Sequence, residues 1–172
     1  GQKPLLIIGS PMCTRWCSWQ HINDTIRDPK IVEREKEKAH MHVDFMTDMY
    51  RGQIEGGRFF LREHPESAGS WAGRCIADLL QVPREGRVCG DQCQYGQQVQ
   101  YGENLGQPVR KAAGFMSNAP KILGRLARRC TGRDGTCSRS KSGRHVQASG
   151  RVAKDAARYS DGLCRAMVRG MV

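Results

Sequence analysis

The sequence predicts an α/β fold in which helices flank a mostly parallel sheet. Short apolar segments stop abruptly at glycine, proline or charged residues, and they alternate with longer segments whose apolar residues recur every three or four positions. Strands that alternate with helices are typical of crossover units, which build parallel sheets. The chain of 172 residues is long enough for one domain with a hydrophobic core, although only 38% of its residues are hydrophobic.

Four segments are candidate strands. The first is PLLIIG, which ends at Gly9, and the second is RFFLR, which runs directly into Glu63-His64-Pro65. GRVCGDQCQYG offers a weak strand and a turn, and KAAGFMSN is the last candidate along the chain. Apolar runs of this length, bounded by glycine and proline, favour strands.

Helices are predicted between these strands. Asp28-Pro29 places an acceptor at the N-cap and proline at the first helical position, and Gly56-Gly57 ends that helix. A second helix is predicted around Cys75, and a third, basic helix opens at Pro120. The last helix carries an apolar stripe at helical spacing, formed by Val152, Ala156, Tyr159, Leu163 and Met167.

Positive charge is concentrated in the last third of the chain. The formal net charge is +11, and residues 110–172 hold 15 of the 28 lysines and arginines but only three of the 17 acidic residues. Such a block favours a polyanion, most often nucleic acid, because binding releases the counterions of the phosphates. We therefore predict DNA or another nucleic acid as partner. The candidate contacts on the basic helix are Lys121, Arg125, Arg128 and Arg129.

These patterns predict three segments. Residues 1–129 form the α/β core, 130–150 form a basic loop rich in glycine, serine and arginine, and 151–172 form a terminal helix that packs on the core. No apolar run approaches the roughly 18 residues of a membrane span, and the apolar opening is too short for a secretory signal. We therefore predict no membrane association and an intracellular location, in the nucleus or the cytoplasm.

The eight cysteines predict reduced thiols, since their spacing is not that of a regular disulfide framework. Cys130, Cys137 and His145 are candidate zinc ligands with a spacing that a zinc site tolerates, and Cys89 and Cys93 add a pair. No standard zinc finger has these spacings, and loop or helix-end thiols without a metal are the alternative. The sequence alone therefore predicts no metal site.

Two residues stand where apolar strands are predicted to stop. Cys13 follows the first strand in GSPMC, and Glu63 follows the second in REHP. The carboxyl ends of parallel strands meet at one edge of a sheet, so we expect both residues on the same rim. A thiol near cationic groups can act as a nucleophile, and a carboxylic acid can hold a heterocycle by a hydrogen bond.

Several short motifs resemble those of DNA (cytosine-5) methyltransferases, with the greatest likeness to divergent members from phages and eukaryotic mobile elements. GSPMCT resembles the segment that carries the family's nucleophilic cysteine, and EHP resembles its Glu-Asn-Val motif. The pair YG, with PVRKAAGFMSN, resembles the later segment that bears tyrosine, glycine and arginine. The resemblance covers Leu5 to Asn118. It assigns catalysis to Cys13 and Glu63, and substrate binding to Ser10, Pro11, Tyr95, Arg110 and Lys111.

The resemblance implies a partial Rossmann-like methyltransferase sheet and a defined reaction. The target cytosine would be flipped out of the duplex, and the thiolate of Cys13 would add to ring carbon 6. Glu63 would hold the ring nitrogen, and carbon 5 would take a methyl group from S-adenosylmethionine. This chain departs from the motif where Met12 precedes the cysteine. The Gly-rich donor-binding turn normally precedes the cysteine strand, so we expect a missing N-terminal part in a longer polyprotein.

Two other functions stay open. The first is a non-catalytic nucleic-acid-binding domain of a mobile-element polyprotein, which would bind through its basic end. The second is a small zinc-binding module.

Overall fold

The structure is a computed structural model that describes residues 2–17, 19–139 and 143–171. It confirms the α/β class: a four-stranded sheet is accompanied by helices. The strands are β1 (Leu6–Gly9), β2 (Phe59–Pro65), β3 (Gly86–Asp91) and β4 (Ala112–Ser117). The α-helices are α1 (Trp19–Asp24), α2 (Pro29–Glu55), α3 (Arg74–Leu79), α4 (Pro120–Leu126), α5 (Gly150–Asp155) and α6 (Asp161–Arg169). Three 3-10 turns cover Thr14–Trp16, Gly69–Ala72 and Gln92–Tyr95.

The sheet has the strand order β1-β2-β4-β3. Its β1 and β2 pair in parallel, with Ile8 opposite Leu61 and Gly9 opposite Arg62. The sheet as a whole is mixed and only partly parallel, so the expected mostly parallel arrangement holds for part of it. All four segments that the sequence singled out as strands are strands.

Helix α2 begins and ends where the sequence predicts. The Asp28 carboxylate accepts a hydrogen bond from the Lys30 amide at 2.8 Å, and Pro29 occupies the first turn. Gly56 caps the carboxyl end. The helix buries Tyr50, whose ring stacks on Phe60 of β2 with 4.6 Å between the ring centroids. None of the helices in the described residues has both the length and the apolar character that a membrane crossing requires.

Two compact units make up the chain. The first comprises Gly1–Arg87 with Met116–Pro120, and the second comprises Val88–Phe115 with Lys121–Val172. This division differs from the predicted one into 1–129, 130–150 and 151–172. In the second unit the C-terminal helices pack against earlier segments: a Cβ on Gly170 would lie 2.6 Å from the Ile122 Cα, and one on Gly162 would lie 2.1 Å from the Tyr95 carbonyl oxygen.

The terminal segment is two helices rather than the single helix predicted for 151–172. Helix α5 ends at Asp155, and α6 starts afresh at Asp161. Ser160 interrupts the helix because its hydroxyl accepts a hydrogen bond from the Leu163 amide as an N-cap. The same hydroxyl donates to the Tyr95 carbonyl at 2.8 Å. The predicted apolar stripe is thus divided between two short helices.

The core of the first unit encloses a charged residue. The side chain of Arg62 is fully buried, donates to the Ser70 hydroxyl at 2.9 Å and lies 5.1 Å from the ring centroid of Trp71. Burial lowers the pKa of this guanidinium. Around it pack the apolar core residues Val43, Tyr50, Phe60, Ala68, Trp71, Ile76, Leu79 and Met116.

We predict that the stability of the first unit depends on pH through Glu85. Burial raises the pKa of its carboxyl from the ordinary 4.5 to about 7. Between these values the native state holds a proton that the unfolded state has released, so stability is lost as the pH rises through about 7. We expect Glu85→Gln to raise the Tm relative to the wild type at about pH 8 more than at about pH 5.

Thermal unfolding followed by circular dichroism at both pH values measures this difference. Glu37→Gln, at an exposed position of α2, is the matched control. A Tm difference for Glu85→Gln that does not change with pH would contradict the assignment.

Candidate metal centre

Three cysteines and one histidine converge in the second unit. The sulfur atoms of Cys93, Cys130 and Cys137 and a ring nitrogen of His145 all lie within 4.8 Å of one another. All three cysteines are buried and His145 is half-buried. None of the chain's eight cysteines forms a disulfide. The cluster therefore provides three thiols and one imidazole that could bind a single metal ion.

Two of the separations within the cluster match the edges of a zinc tetrahedron. The sulfurs of Cys130 and Cys137 are 3.9 Å apart, and the Cys130 sulfur lies 3.6 Å from Nε2 of His145. Zinc bonds of about 2.3 Å to sulfur and about 2.0 Å to nitrogen give edges of about 3.8 Å between sulfurs and about 3.6 Å between sulfur and nitrogen. A sulfur separation of 3.9 Å is also far longer than the roughly 2.05 Å of a disulfide bond.

Strand β3 positions two of the ligands. Cys93 lies in the 3-10 turn that begins directly after this strand. Asp91, the last residue of β3, is fully buried, and its carboxylate accepts a hydrogen bond from the Cys130 amide at 2.7 Å. Its own amide donates to the Arg128 carbonyl at 2.9 Å. Asp91 thus holds the segment that bears Cys130 against the end of the strand that leads to Cys93.

A tight loop brings the other two ligands back to the cluster. The amide of Cys137 donates to the Gly143 carbonyl at 2.9 Å, and the amide of His145 donates to the Gly135 carbonyl at 2.7 Å. Gly135 has φ +78°, a left-handed conformation that glycine adopts without strain. At Gly132 a Cβ would lie 1.8 Å from the Thr136 carbonyl oxygen, so only glycine fits there.

Polar groups surround the sulfur atoms. The Ser138 amide and hydroxyl lie 3.4 and 3.5 Å from the Cys130 sulfur. The side-chain amide of Gln94 lies 3.7 Å from the Cys93 sulfur and 3.6 Å from that of Cys137. Donors aimed at sulfur stabilise a thiolate and orient it, which is the role of the groups around bound zinc in proteins.

The protonation of the thiols differs across the cluster. Burial raises the pKa of Cys93 to about 12 in the absence of a cation. At Cys130 burial also raises the pKa, but hydrogen bonds from Ser138, from the Gly132 backbone and from Cys137 outweigh it and lower the value to about 6. A divalent cation would favour the thiolate form of all three cysteines.

The sequence predicted no metal site, but the candidate ligands it offered include all four residues of this cluster. Cys130, Cys137 and His145 come together as the spacing allowed. Cys93 joins them, whereas its partner in the proposed pair, Cys89, lies within β3 and is not part of the cluster.

The two residues assigned to catalysis lie in the first unit. Cys13 is exposed and stands four residues beyond the end of β1. Glu63 does not follow its strand, as the sequence predicted, because β2 continues to Pro65; the residue is therefore inside the strand and is 4% exposed. A cavity of about 310 Å³ beside Cys13 is lined by Met12, Thr14, Arg15, Glu35, Lys38, Ala39 and His42, and Glu63 is not in this lining.

The residues assigned to substrate binding are dispersed over both units. Ser10 is exposed and Pro11 is buried after β1. Tyr95 is buried, and its hydroxyl donates to the Arg125 carbonyl at 2.9 Å and accepts from the Arg128 amide at 3.2 Å. The tyrosine therefore supports the end of α4.

The remaining basic candidates are on the surface of the second unit or bonded within it. Arg110 is exposed, while the ammonium of Lys111 donates to the Ala156 carbonyl at 3.2 Å. The candidates on and after α4 are exposed: Lys121, Arg125, Arg128 and Arg129. Of these, Arg129 lies 3.7 Å from the Asp91 carboxylate.

No protein-family model, no curated protein and no solved structure matches this chain.

The loop geometry predicts that metal binding depends on Gly132. In Gly132→Ala the new Cβ meets backbone atoms of residues 136 and 138 that cannot move without opening the loop around Cys137. We expect zinc affinity, measured by competition with a chromophoric chelator, to fall by about tenfold or more, in the range seen when groups around a metal site are disturbed.

Gly124→Ala is the matched control, because a Cβ at this helical position has no atom within 4 Å. It should leave zinc affinity unchanged and stabilise α4 by about 0.5–1 kcal/mol. Equal zinc affinity for Gly132→Ala and Gly124→Ala would contradict the prediction.

Proposed function

We propose that the second unit is a zinc-binding module that presents a basic surface to nucleic acid. The observation that carries this proposal is the convergence of three buried thiols and one imidazole within 4.8 Å of one another, with Cys130 at tetrahedral edge lengths from Cys137 and His145. Four protein ligands complete the coordination of zinc, so the metal has a structural role and no open position for a substrate.

The zinc would connect segments that lie far apart in the sequence. Its ligands come from the turn after β3, from the segment after α4 and from the two arms of the loop that follows. Apparent binding free energies of structural zinc reach about 10–16 kcal/mol and add to folding stability. In a chain with a low hydrophobic fraction, this energy would substitute for a larger core.

Charge supports nucleic acid as the partner. Residues 110–172 carry 15 lysines and arginines against three acidic residues, and Arg125, Arg128, Arg165 and Arg169 are exposed in the second unit. Neutralising phosphates with such side chains gives an affinity that falls steeply with salt. A zinc-stabilised scaffold holds these residues in fixed positions.

Zinc content tests the proposal directly. Protein purified under reducing conditions should contain one zinc ion per chain by native and elemental mass spectrometry. Cys93→Ser should lose the metal, and chelation of the wild type should remove the fixed structure of the second unit. Cobalt substituted for zinc should give the visible absorption of a tetrahedral site with thiolate ligands.

Cys89→Ser is the matched control, since Cys89 lies four residues earlier, within β3, and is not part of the cluster. It should retain stoichiometric zinc. A folded, reduced wild type without zinc, or a disulfide between Cys130 and Cys137 in freshly isolated protein, would refute the proposed metal site.

A methyltransferase-like function of the first unit is a second candidate. The parallel pairing of β1 with β2 supports it, because Cys13 follows β1 by four residues and Glu63 lies in β2, the neighbouring strand with the same direction. This second candidate function includes the proposal that the sheet is part of a Rossmann-like methyltransferase fold. No Gly-x-Gly turn follows any of the four described strands, so the residues present do not fit a bound S-adenosylmethionine.

Covalent trapping tests this second candidate. If Cys13 attacks ring carbon 6 of a flipped cytosine, DNA that carries 5-azacytosine should retain the protein through a thioether bond that survives denaturation. The adduct should disappear in Cys13→Ser and persist in Cys17→Ser, which alters a second exposed cysteine. An adduct unaffected by Cys13→Ser, or the absence of any adduct, would exclude this role.

A further inference from the structure

Two adjoining cavities form a groove on the second unit. The larger has a volume of about 760 Å³ and the smaller about 310 Å³. Both are lined by Tyr95, Gly96, Arg139 and Gly162, so they lie side by side. We call these two adjoining cavities the arginine groove.

Positive charge dominates the arginine groove. Two aspartates, Asp155 and Asp161, belong to its lining. The arginines that line it are Arg125, Arg128, Arg139, Arg151, Arg158, Arg165 and Arg169. All of them except the half-buried Arg139 are exposed. Such a concentration of guanidinium groups around a concave surface attracts a chain of phosphates, which arginine binds in bidentate fashion.

Aromatic rings accompany the arginines. Tyr101 lines the larger cavity, is 62% exposed, and lies 5.6 Å from the guanidinium carbon of Arg151. Tyr95 lies beneath both cavities, 5.7 Å from the guanidinium of Arg128. An exposed ring at the edge of a basic groove is suited to stacking on an unpaired base.

We propose that the arginine groove binds single-stranded nucleic acid, with its arginines on the phosphates and Tyr101 stacked on a base. Proteins that read duplex DNA usually insert a helix or a β-ribbon into the major groove. Here the basic side chains surround a cavity instead, which fits a flexible strand with unpaired bases.

This inference rests on the proposed zinc site through Arg139. That arginine follows the ligand Cys137 by two residues and is part of the lining of both cavities. Ser138, between them, contacts the Cys130 sulfur. Zinc bound to Cys130 and Cys137 would therefore fix the position of Arg139 in the arginine groove.

Fluorescence anisotropy with the zinc-loaded full chain tests the inference. The probes are labelled oligothymidine, labelled oligouridine, a mixed-sequence duplex of equal length, and vesicles containing phosphatidylserine. We expect both single strands to bind about tenfold or more tightly than the duplex at physiological salt, because only they offer unpaired bases for stacking. The two single strands also separate DNA from RNA as the natural ligand.

Matched variants locate the binding surface. Arg139→Ala should weaken binding about threefold or more and reduce the dependence of affinity on salt, whereas Arg133→Ala, in the same loop but outside the groove lining, should change neither. Tyr101→Ala should weaken binding about fivefold or more, and Tyr101→Phe should retain it because the ring still stacks. If Arg139→Ala does not fold, the double variant Arg165→Gln/Arg169→Gln on α6 takes its place.

Zinc content is measured on every sample, so the metal site and the arginine groove can each be refuted independently of the other. Stoichiometric zinc with equal affinity for single strands and duplex, or with Arg139→Ala indistinguishable from Arg133→Ala, would overturn the arginine groove and leave the metal site standing. Tighter binding to vesicles than to oligonucleotides would identify a membrane surface and also overturn it. Absence of zinc with strand binding that depends on Tyr101 and Arg139 would support the groove while refuting the metal site.

Discussion

The organisation of the second unit depends on the meeting of three buried sulfur atoms and one imidazole. Thiols are weak hydrogen-bond partners, and three of them at these separations gain little from one another without a cation. A bound zinc ion would convert this arrangement into the strongest set of contacts in the unit, because each ligand bond replaces a buried, poorly satisfied group. The buried carboxylate of Asp91 connects this cluster to the sheet, since it accepts the Cys130 amide at the end of β3.

The basic surface is built on this framework. The segment that carries Cys130 continues from α4, and Tyr95 holds that helix end through its hydroxyl. The loop that carries Cys137 also carries Arg139. Helix α6 adds Arg165 and Arg169 on an exposed face. Cys130 directly follows Arg128 and Arg129, and Cys137 precedes Arg139 by two residues, so the proposed metal would directly influence this part of the proposed ligand surface.

The first unit has a different chemical character. Its core contains Arg62, stacked on Trp71 and bonded to Ser70, and a stretch of β2 in which charged and polar residues are buried one after another. Glu63 belongs to that stretch. Its carboxyl is buried inside the strand, whereas Cys13 is exposed on the segment beyond β1.

The sequence by itself determined the local structure of this protein: the four strands, the limits of α2 and the concentration of positive charge toward the carboxyl end. These features follow from local signals, which are apolar runs, an N-cap followed by proline, and paired glycines. Such signals act over a few residues, so they can be recognised in the sequence without knowledge of the fold. The tertiary structure decided the rest. Cys93 and Cys89 look alike in the sequence, yet only Cys93 meets Cys130, Cys137 and His145, because strand pairing and a loop closed at Gly132 bring distant segments together. Long-range contacts of this kind leave no periodic signal, and for the same reason the mixed sheet, the interior position of Glu63 and the break between α5 and α6 became visible only in three dimensions.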